Sequence, residues 1–313
     1  MIIMKFFKGL FQKNLSLIIN YVLKHFNIFI IFRIGNAIGD QLCMSAVIRL
    51  INEQYPFRIV VISSIPELFY NNPRVWKCFG VKGRGLYLSR LLRFFSGVQL
   101  ENFLFKNEDL LYENYMQQYG ANLHLVQAHS LHFKHHIKFN EILNEIYFSK
   151  DEISKYSKKF KLPKVYCVVQ PNSKLSYTPN KQWEINNFQY VINKKQNIEW
   201  IQVGMKDEFL LENVSDFRGK TSLREFFYII SRSKFTFANE GLINHVSSAF
   251  SIKSYVVSSG FSDIALSKYR NTIFFDSHNS CEYSPCWKLQ DCGIFNKPCL
   301  SSINPDDVIQ KLI

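Results

Sequence analysis

Asp40 closes the stretch Gly35-Asn36-Ala37-Ile38-Gly39-Asp40, and a carboxylate at the start of a helix suits a base that takes a proton from a hydroxyl group. The glycines resemble a phosphate-binding turn. Such a turn carries Lys and Ser or Thr after its last glycine, whereas Asp40 and Gln41 follow here. A carboxylate at that point would repel a phosphate. The position also suits a residue that only caps the helix, and the spacing leaves both roles open.

The second half of the chain offers a different chemistry. Short polar loops recur there: Gln170-Pro171-Asn172-Ser173, Gly204-Met205-Lys206, Gly219-Lys220-Thr221-Ser222, and Asn239-Glu240-Gly241 with His245 just beyond. Lys181, in Asn180-Lys181-Gln182-Trp183, adds a positive charge. The helix starts after Thr221 and Gly241 would add backbone N–H donors, so this edge suits a diphosphate. Taken singly, His245 also fits a structural histidine and Lys181 a solvated lysine; their convergence favours a site.

Cys281, Cys286, Cys292 and Cys299 are separated by four, five and six residues. That spacing is unlike paired Cys-x-x-Cys knuckles, and it leaves a structural zinc or iron site and ordinary reduced thiols as the two readings. Cys43, Cys78 and Cys167 lie on apolar elements and read as buried core thiols. The odd total of seven argues against a secreted disulfide framework. His124, His129, His132, His135 and His136 read as a polar surface of the first domain, without a metal role.

The elements that must position these residues follow from hydrophobic pattern. Ile28 to Ile34 reads as a buried strand, Gln41 to Gln54 as a helix stopped by Tyr55-Pro56, and Arg58 to Ile62 as the next strand, a βαβ unit with parallel strands. The alternation resumes with strands at Val165 to Val169, Glu199 to Val203, Phe235 to Ala238, Lys253 to Val257 and Thr272 to Phe275. Helices are expected between them at Glu184 to Lys195, Ser222 to Ser231 and Ile243 to Phe250. Ser222 with Glu225 makes a capping box. The fold class is α/β, with two Rossmann-like domains: a basic amphipathic segment over 1–27, a first domain over 28–150, a linker over 151–164 and a second domain over 165–313.

Length and charge bound the partners. A chain of 313 residues supports two cores, and 47% hydrophobic residues exclude general disorder. Lysines and arginines break every apolar run before it could span a bilayer, and no signal peptide is evident. The net charge of +13 needs acidic partners. The first acid is Asp40, and a second acid-free stretch between Glu67 and Glu101 carries Arg74, Lys77, Lys82, Arg84, Arg90 and Arg93 among leucines and phenylalanines. Both suit an anionic membrane surface; the alternatives are a helix packed on the protein itself for the first and a solvated charged face for the second. Without RRM, KH or zinc-finger spacing, no nucleic-acid partner is expected.

Ile34-Gly35-Asn36-Ala37-Ile38-Gly39-Asp40, Asn180-Lys181-Gln182-Trp183, Gly219-Lys220-Thr221-Ser222-Leu223-Arg224-Glu225, Glu240 with His245, and the tail from Ser284-Pro285-Cys286 to Val308 together resemble glycosyltransferase family 9, the lipopolysaccharide heptosyltransferase-like family. The resemblance implies a GT-B architecture, two Rossmann-like domains facing a central cleft, and inverting transfer of a sugar from a nucleotide sugar. It implies Asp40 as the general base, Lys181 on the donor phosphates and Thr221 on the nucleotide side, with Ser173, Glu240, Gly241 and His245 in donor-binding loops. Glu240 stands where the family usually has Asp, with Gly241 directly after it. ADP-heptose is the donor the family favours, and another nucleotide sugar is the alternative. The expected enzyme works on a phosphorylated glycolipid acceptor of the lipopolysaccharide core type, cytoplasmic and peripheral on the inner face of the membrane. A protein acceptor, or a non-catalytic sugar-nucleotide or glycan-binding module, is the other reading.

Overall fold

Ile28-Phe29-Ile30-Ile31-Phe32-Arg33-Ile34 buries Phe29 and Ile31 together with Phe32 and Arg33, as a strand covered on both faces must. The computed structural model describes residues 2–81, 103–107, 123–131, 133 and 135–312, with backbone alone over 2–13 and 103–107. Lys82, Arg84, Arg90, Arg93 and His132 lie outside the described residues. The chain divides into two compact units, one holding Met1–Asn114, Val126–Glu141 and Glu145–Tyr147, the other Tyr115–Leu125, Ile142–Asn144 and Phe148–Ile313.

Among the described residues of the first unit, four parallel strands pair in the order β3-β2-β1-β4: β1 (Ile28–Ile34), β2 (Arg58–Ser63), β3 (Val75–Gly80) and β4 (Phe103–Asn107). Helix α1 (Ile2–His25) precedes β1 and packs on it through Leu23 and Ile19 against Ile28 and Ile30. Helix α2 (Ile38–Gln54) follows β1 and is buried from Gln41 to Ile48. It begins three residues before the expected start. Its cap position is Ala37, with no side-chain cap, so Asp40 lies inside the first turn and is not the capping residue. Strand β3 has no clean alternation because Trp76 and Lys77 are both exposed and its register slips beside Ile59. Arg74 is paired within the first unit, its Nε 3.1 Å from Glu145 and its Nη2 3.4 Å from Glu53.

Among the described histidines of the histidine-rich stretch, two are interior. Helix α3 (Leu125–Ser130) buries His129 completely, and His124 is also buried. His135 packs among Tyr55, Phe57 and Phe133, while His136 is exposed. A surface role therefore does not describe His124 or His129. Cys43 and Cys167 are buried as expected, whereas Cys78 is half-buried; burial pushes both Cys78 and Cys167 up to about 12.

Residues 151–164 are not an open linker. Helix α4 (Lys150–Lys159) fills most of them, capped by Ser149 and Glu152 in a reciprocal box. The Ser-x-x-Glu signature there matches the Ser222/Glu225 box, but the lysine run conceals it in the sequence. In the second unit, six parallel strands are described in the order β10-β9-β8-β5-β6-β7. They are β5 (Cys167–Gln170), β6 (Trp200–Gln202), β7 (Ser215–Asp216), β8 (Phe235–Asn239), β9 (Lys253–Ser258) and β10 (Thr272–Asp276). Helices α5 (Ile185–Lys194), α6 (Leu223–Ser231) and α7 (Leu242–Ala249) alternate with them, and α8 (Pro298–Ser301) and α9 (Pro305–Lys311) end the chain. Phe188, Val191 and Ile192 of α5 meet Val308 and Leu312 in one core with Trp183, Trp200, Phe237 and Tyr255.

Arg224 of α6 reaches Glu152 at 2.9 Å through both Nε and Nη2, and Lys159 reaches Glu225 at 2.7 Å. Helix α4 is thus bonded to α6. Ser149→Ala should lower the unfolding free energy by about 1 kcal/mol in urea denaturation, the usual cost of a lost cap. A flexible linker would show no change.

Candidate functional site

In both sheets the first strand lies inside, with later strands on either side, so the chain reverses direction across it. Ligands of open parallel sheets bind at that reversal, beyond the carboxyl ends of the strands. In the first unit this point follows β1. Asp40 is partly exposed, and its Oδ2 lies 3.6 Å from Nη2 of Arg33, whose side chain is buried. Arg33 also donates from Nη1 to the Ile34 carbonyl at 2.7 Å. Gln41, one residue on, is buried and knits two loops together: Nε2 donates to the Gly35 carbonyl at 2.5 Å and to Ser64 Oγ at 2.7 Å, and Oε1 accepts from Ser63 at 2.6 Å. A solvent-reachable carboxylate on a rigid turn, with a buried cation behind it, has the placement a base needs.

In the second unit the reversal lies between β5 and β8. Asn239, at the end of β8, accepts from the Trp183 N–H at 3.2 Å and donates to the Pro171 carbonyl at 2.5 Å, drawing the loops after β5 and before α5 to one point. Gln182 holds Ser173, accepting from its N–H at 2.7 Å and its hydroxyl at 3.2 Å. The next residue after Asn239 is Glu240, whose carboxylate lies 3.4 Å from Nζ of Lys181. Ser262 donates to both its oxygens at 3.1 and 3.0 Å, and Ser267 to one at 3.4 Å. Lys181 sits over the Phe261 ring at 4.7 Å. It is an ordered, mostly buried lysine, not a solvated one.

His245, in α7, joins the same cluster. Its Nδ1 lies 2.7 Å from the Tyr269 hydroxyl. Asn144 Nδ2 donates to the His245 carbonyl, which fixes the amide orientation, and also faces the Tyr269 hydroxyl at 3.0 Å. One hydrogen is shared between His245 Nδ1 and the Tyr269 hydroxyl, and the ring tautomer sets which of the two donates it. Burial pushes His245 down to about 4, with Glu240 opposing and Lys181 reinforcing the shift. His124, edge-on to Tyr269 with ring centroids 4.8 Å apart, is pushed down to about 3 by burial and by His245.

The structure thus brings together Lys181, Glu240, Gly241 and His245, with Ser173 tied in through Gln182. Thr221 is half-buried immediately before the Ser222 cap, on a separate loop. Ser262, Ser267, Tyr269, Asn144 and His124 carry no recognisable motif, and the sequence held no signal for them. Cys281, Cys286, Cys292 and Cys299 all line one pocket beside Phe261 and Lys297. Burial raises the Cys299 thiol, and the other three reinforce the shift. Among the described residues, no three His, Cys, Asp or Glu side chains are grouped so as to hold a metal ion.

Both histidines stay neutral in the fold but take up a proton near 6.5 when unfolded. The unfolded chain then binds more protons below 6.5, so stability must fall as pH drops from 6.5 towards 4. The urea midpoint should decline across that window, and less steeply in His124→Gln. An equal slope in the variant would refute the assignment.

No protein-family model matches the sequence, and no curated protein matches it. Solved structures do. Escherichia coli ADP-heptose lipopolysaccharide heptosyltransferase II is 14% identical with a TM-score of 0.62, over 90% of this chain and 96% of that one. A glycosyl transferase family 9 structure from Veillonella parvula DSM 2008 is 13% identical with a TM-score of 0.66, over 91% and 96%. The iron-containing dodecameric heptosyltransferase TibC of enterotoxigenic Escherichia coli, in complex with ADP-D-β-D-heptose, is 14% identical with a TM-score of 0.62, over 91% of this chain and 75% of that one. This chain therefore has the GT-B fold of the family 9 heptosyltransferases, as the sequence motifs anticipate.

Proposed function

We propose that this protein is an inverting glycosyltransferase that moves a sugar from a nucleotide-diphosphate sugar to a lipopolysaccharide core or related surface-glycan acceptor. ADP-heptose is the favoured donor, because two of the structures that share the fold are named for it. The observation that carries the reading is the cluster of Lys181, Glu240 and His245 at the reversal point of the second sheet.

Asp40 takes the proton from the acceptor hydroxyl as that oxygen attacks the anomeric carbon. The bond from the anomeric carbon to the phosphate oxygen breaks with inversion, and the nucleoside diphosphate departs with the electron pair. Lys181 stabilises the charge that develops on it. Glu240 holds Lys181 in place, and neutral His245 lies beside the donor phosphates. Ser173, Thr221 and Gly241 line the nucleotide side.

Transfer of heptose from ADP-heptose to heptose-free lipopolysaccharide core, followed by mass spectrometry, tests the reading together with calorimetry of ADP binding. Asp40→Asn should reduce transfer by roughly a hundredfold or more with ADP affinity unchanged. Lys181→Ala should weaken ADP binding. Near wild-type transfer in the first variant removes Asp40 as base, and unaltered ADP affinity in the second removes Lys181 from the site.

The four-cysteine pocket is read as a place for a structural zinc or iron ion held by Cys281, Cys286, Cys292 and Cys299. Their shared pocket supports this reading, although no three of the thiols are grouped closely enough here to hold an ion until the loop draws them together. The ion would pin the C-terminal loop and take no part in transfer. Metal analysis of the purified protein should find zinc or iron that Cys286→Ser with Cys292→Ser removes; a metal-free wild type refutes it.

The working place is the inner face of the cytoplasmic membrane, with the protein bound peripherally. The net charge of +13 supports this, and among the described residues no helix is long and apolar enough to cross a membrane.

A further inference from the structure

Among its described side chains, helix α1 carries two apolar stripes, and the first unit packs against one of them. Ile19 and Leu23 face the sheet. On the other side Leu17 is 63% exposed, Ile18 61%, Tyr21 70% and Val22 43%, and Phe26 in the following turn is 53% exposed. At 100° per residue those four helical positions fall within one side of the helix, nearly opposite Ile19 and Leu23. An apolar stripe of this kind left open to water marks an interaction surface.

The charge around it selects the partner. Residues 1–39 contain no Asp or Glu, and the helix holds Lys5, Lys8, Lys13 and Lys24. A second copy of the helix would bring like charges together, whereas anionic headgroups would neutralise them. The surface extends beyond the helix. The Arg58 N–H donates to the Asn27 carbonyl at 2.7 Å, and the Arg58 guanidinium lies 5.7 Å from the ring of Trp76, which is half exposed. Lys77 lies 6.0 Å from the same ring. Tryptophan, tyrosine and basic side chains together are the composition that settles at the headgroup level of a bilayer.

We infer that the outer stripe of α1, with Trp76 and its two cations beside the helix end, lays this protein flat on an anionic lipid surface. The turn at Phe26-Asn27, with Asn27 at φ 52, reverses the chain, so α1 runs back alongside β1. At 1.5 Å per residue the helix is about 36 Å long, against about 23 Å for β1, so a helix keeping to the line of the strand would extend about 13 Å beyond the end from which Asp40 follows. A helix lying in the membrane plane would hold that end of the sheet at the lipid surface. The inference deepens the membrane reading above and is independent of the transfer chemistry.

Sedimentation of the full chain with phosphatidylglycerol–phosphatidylethanolamine vesicles tests it, with phosphatidylcholine vesicles as control. The wild type should pellet with the anionic vesicles at low salt and be released at high salt. The variant Leu17→Ser, Ile18→Ser and Tyr21→Ser should lose roughly tenfold or more of that binding. Its ADP affinity should be unchanged, because none of the three belongs to the donor cluster. Equal vesicle binding by the variant, or no binding by the wild type, overturns the proposal. A wild-type dimer that the variant turns into a monomer without lipid also overturns it, since the stripe would then belong to a second copy.

Discussion

A parallel sheet whose first strand lies inside it must send its chain out in two directions, and that reversal decides where polar groups collect in both units. The connections leaving β5 and β8 depart to opposite sides, and an opening at the strand ends between them is what such a reversal creates. Asn239 fills part of the opening with hydrogen bonds to two different loops. The residues on either side of it, Ala238 and Glu240, then belong to different worlds: one is in the core, the other begins the polar cluster.

The charge state of that cluster follows from burial. Lys181 and Glu240 neutralise each other, two serines satisfy the carboxylate, and His245 is uncharged. Removing either ion would strand the other in a poorly solvated place, which costs more than the pair itself contributes. On the proposed function, a diphosphate would meet a lysine already engaged and would share it with Glu240. Selectivity for a doubly charged ligand over a neutral sugar would arise from that competition.

How much of this was legible depends on what each element needed. The strands of the second unit are apolar runs bounded by polar loops, and all five expected there, together with three expected helices, appear within a few residues of their predicted bounds. Strand β3 escaped because Trp76 and Lys77 interrupt it, and β7 because two residues carry no pattern. Lys181, Glu240 and His245 could be named because their spacing follows a motif. Tyr269, Asn144 and His124 could not, because they come together only when distant segments meet around α7. The buried histidines show the same limit: polar residues in a run look like surface until packing encloses them.

The reciprocal bonding of α4 and α6 has a further meaning. Glu152 and Glu225 each serve twice, capping their own helix and gripping a cation on the other. Neither helix can fray at its start without releasing its neighbour, so the two openings are one event. The loop over 219–221, which leads into α6, inherits that restraint at its downstream end. A cut made after Lys150 would leave both ion pairs on one piece but strip Ser149 from the head of α4, so the natural place to divide the chain is upstream of Ser149.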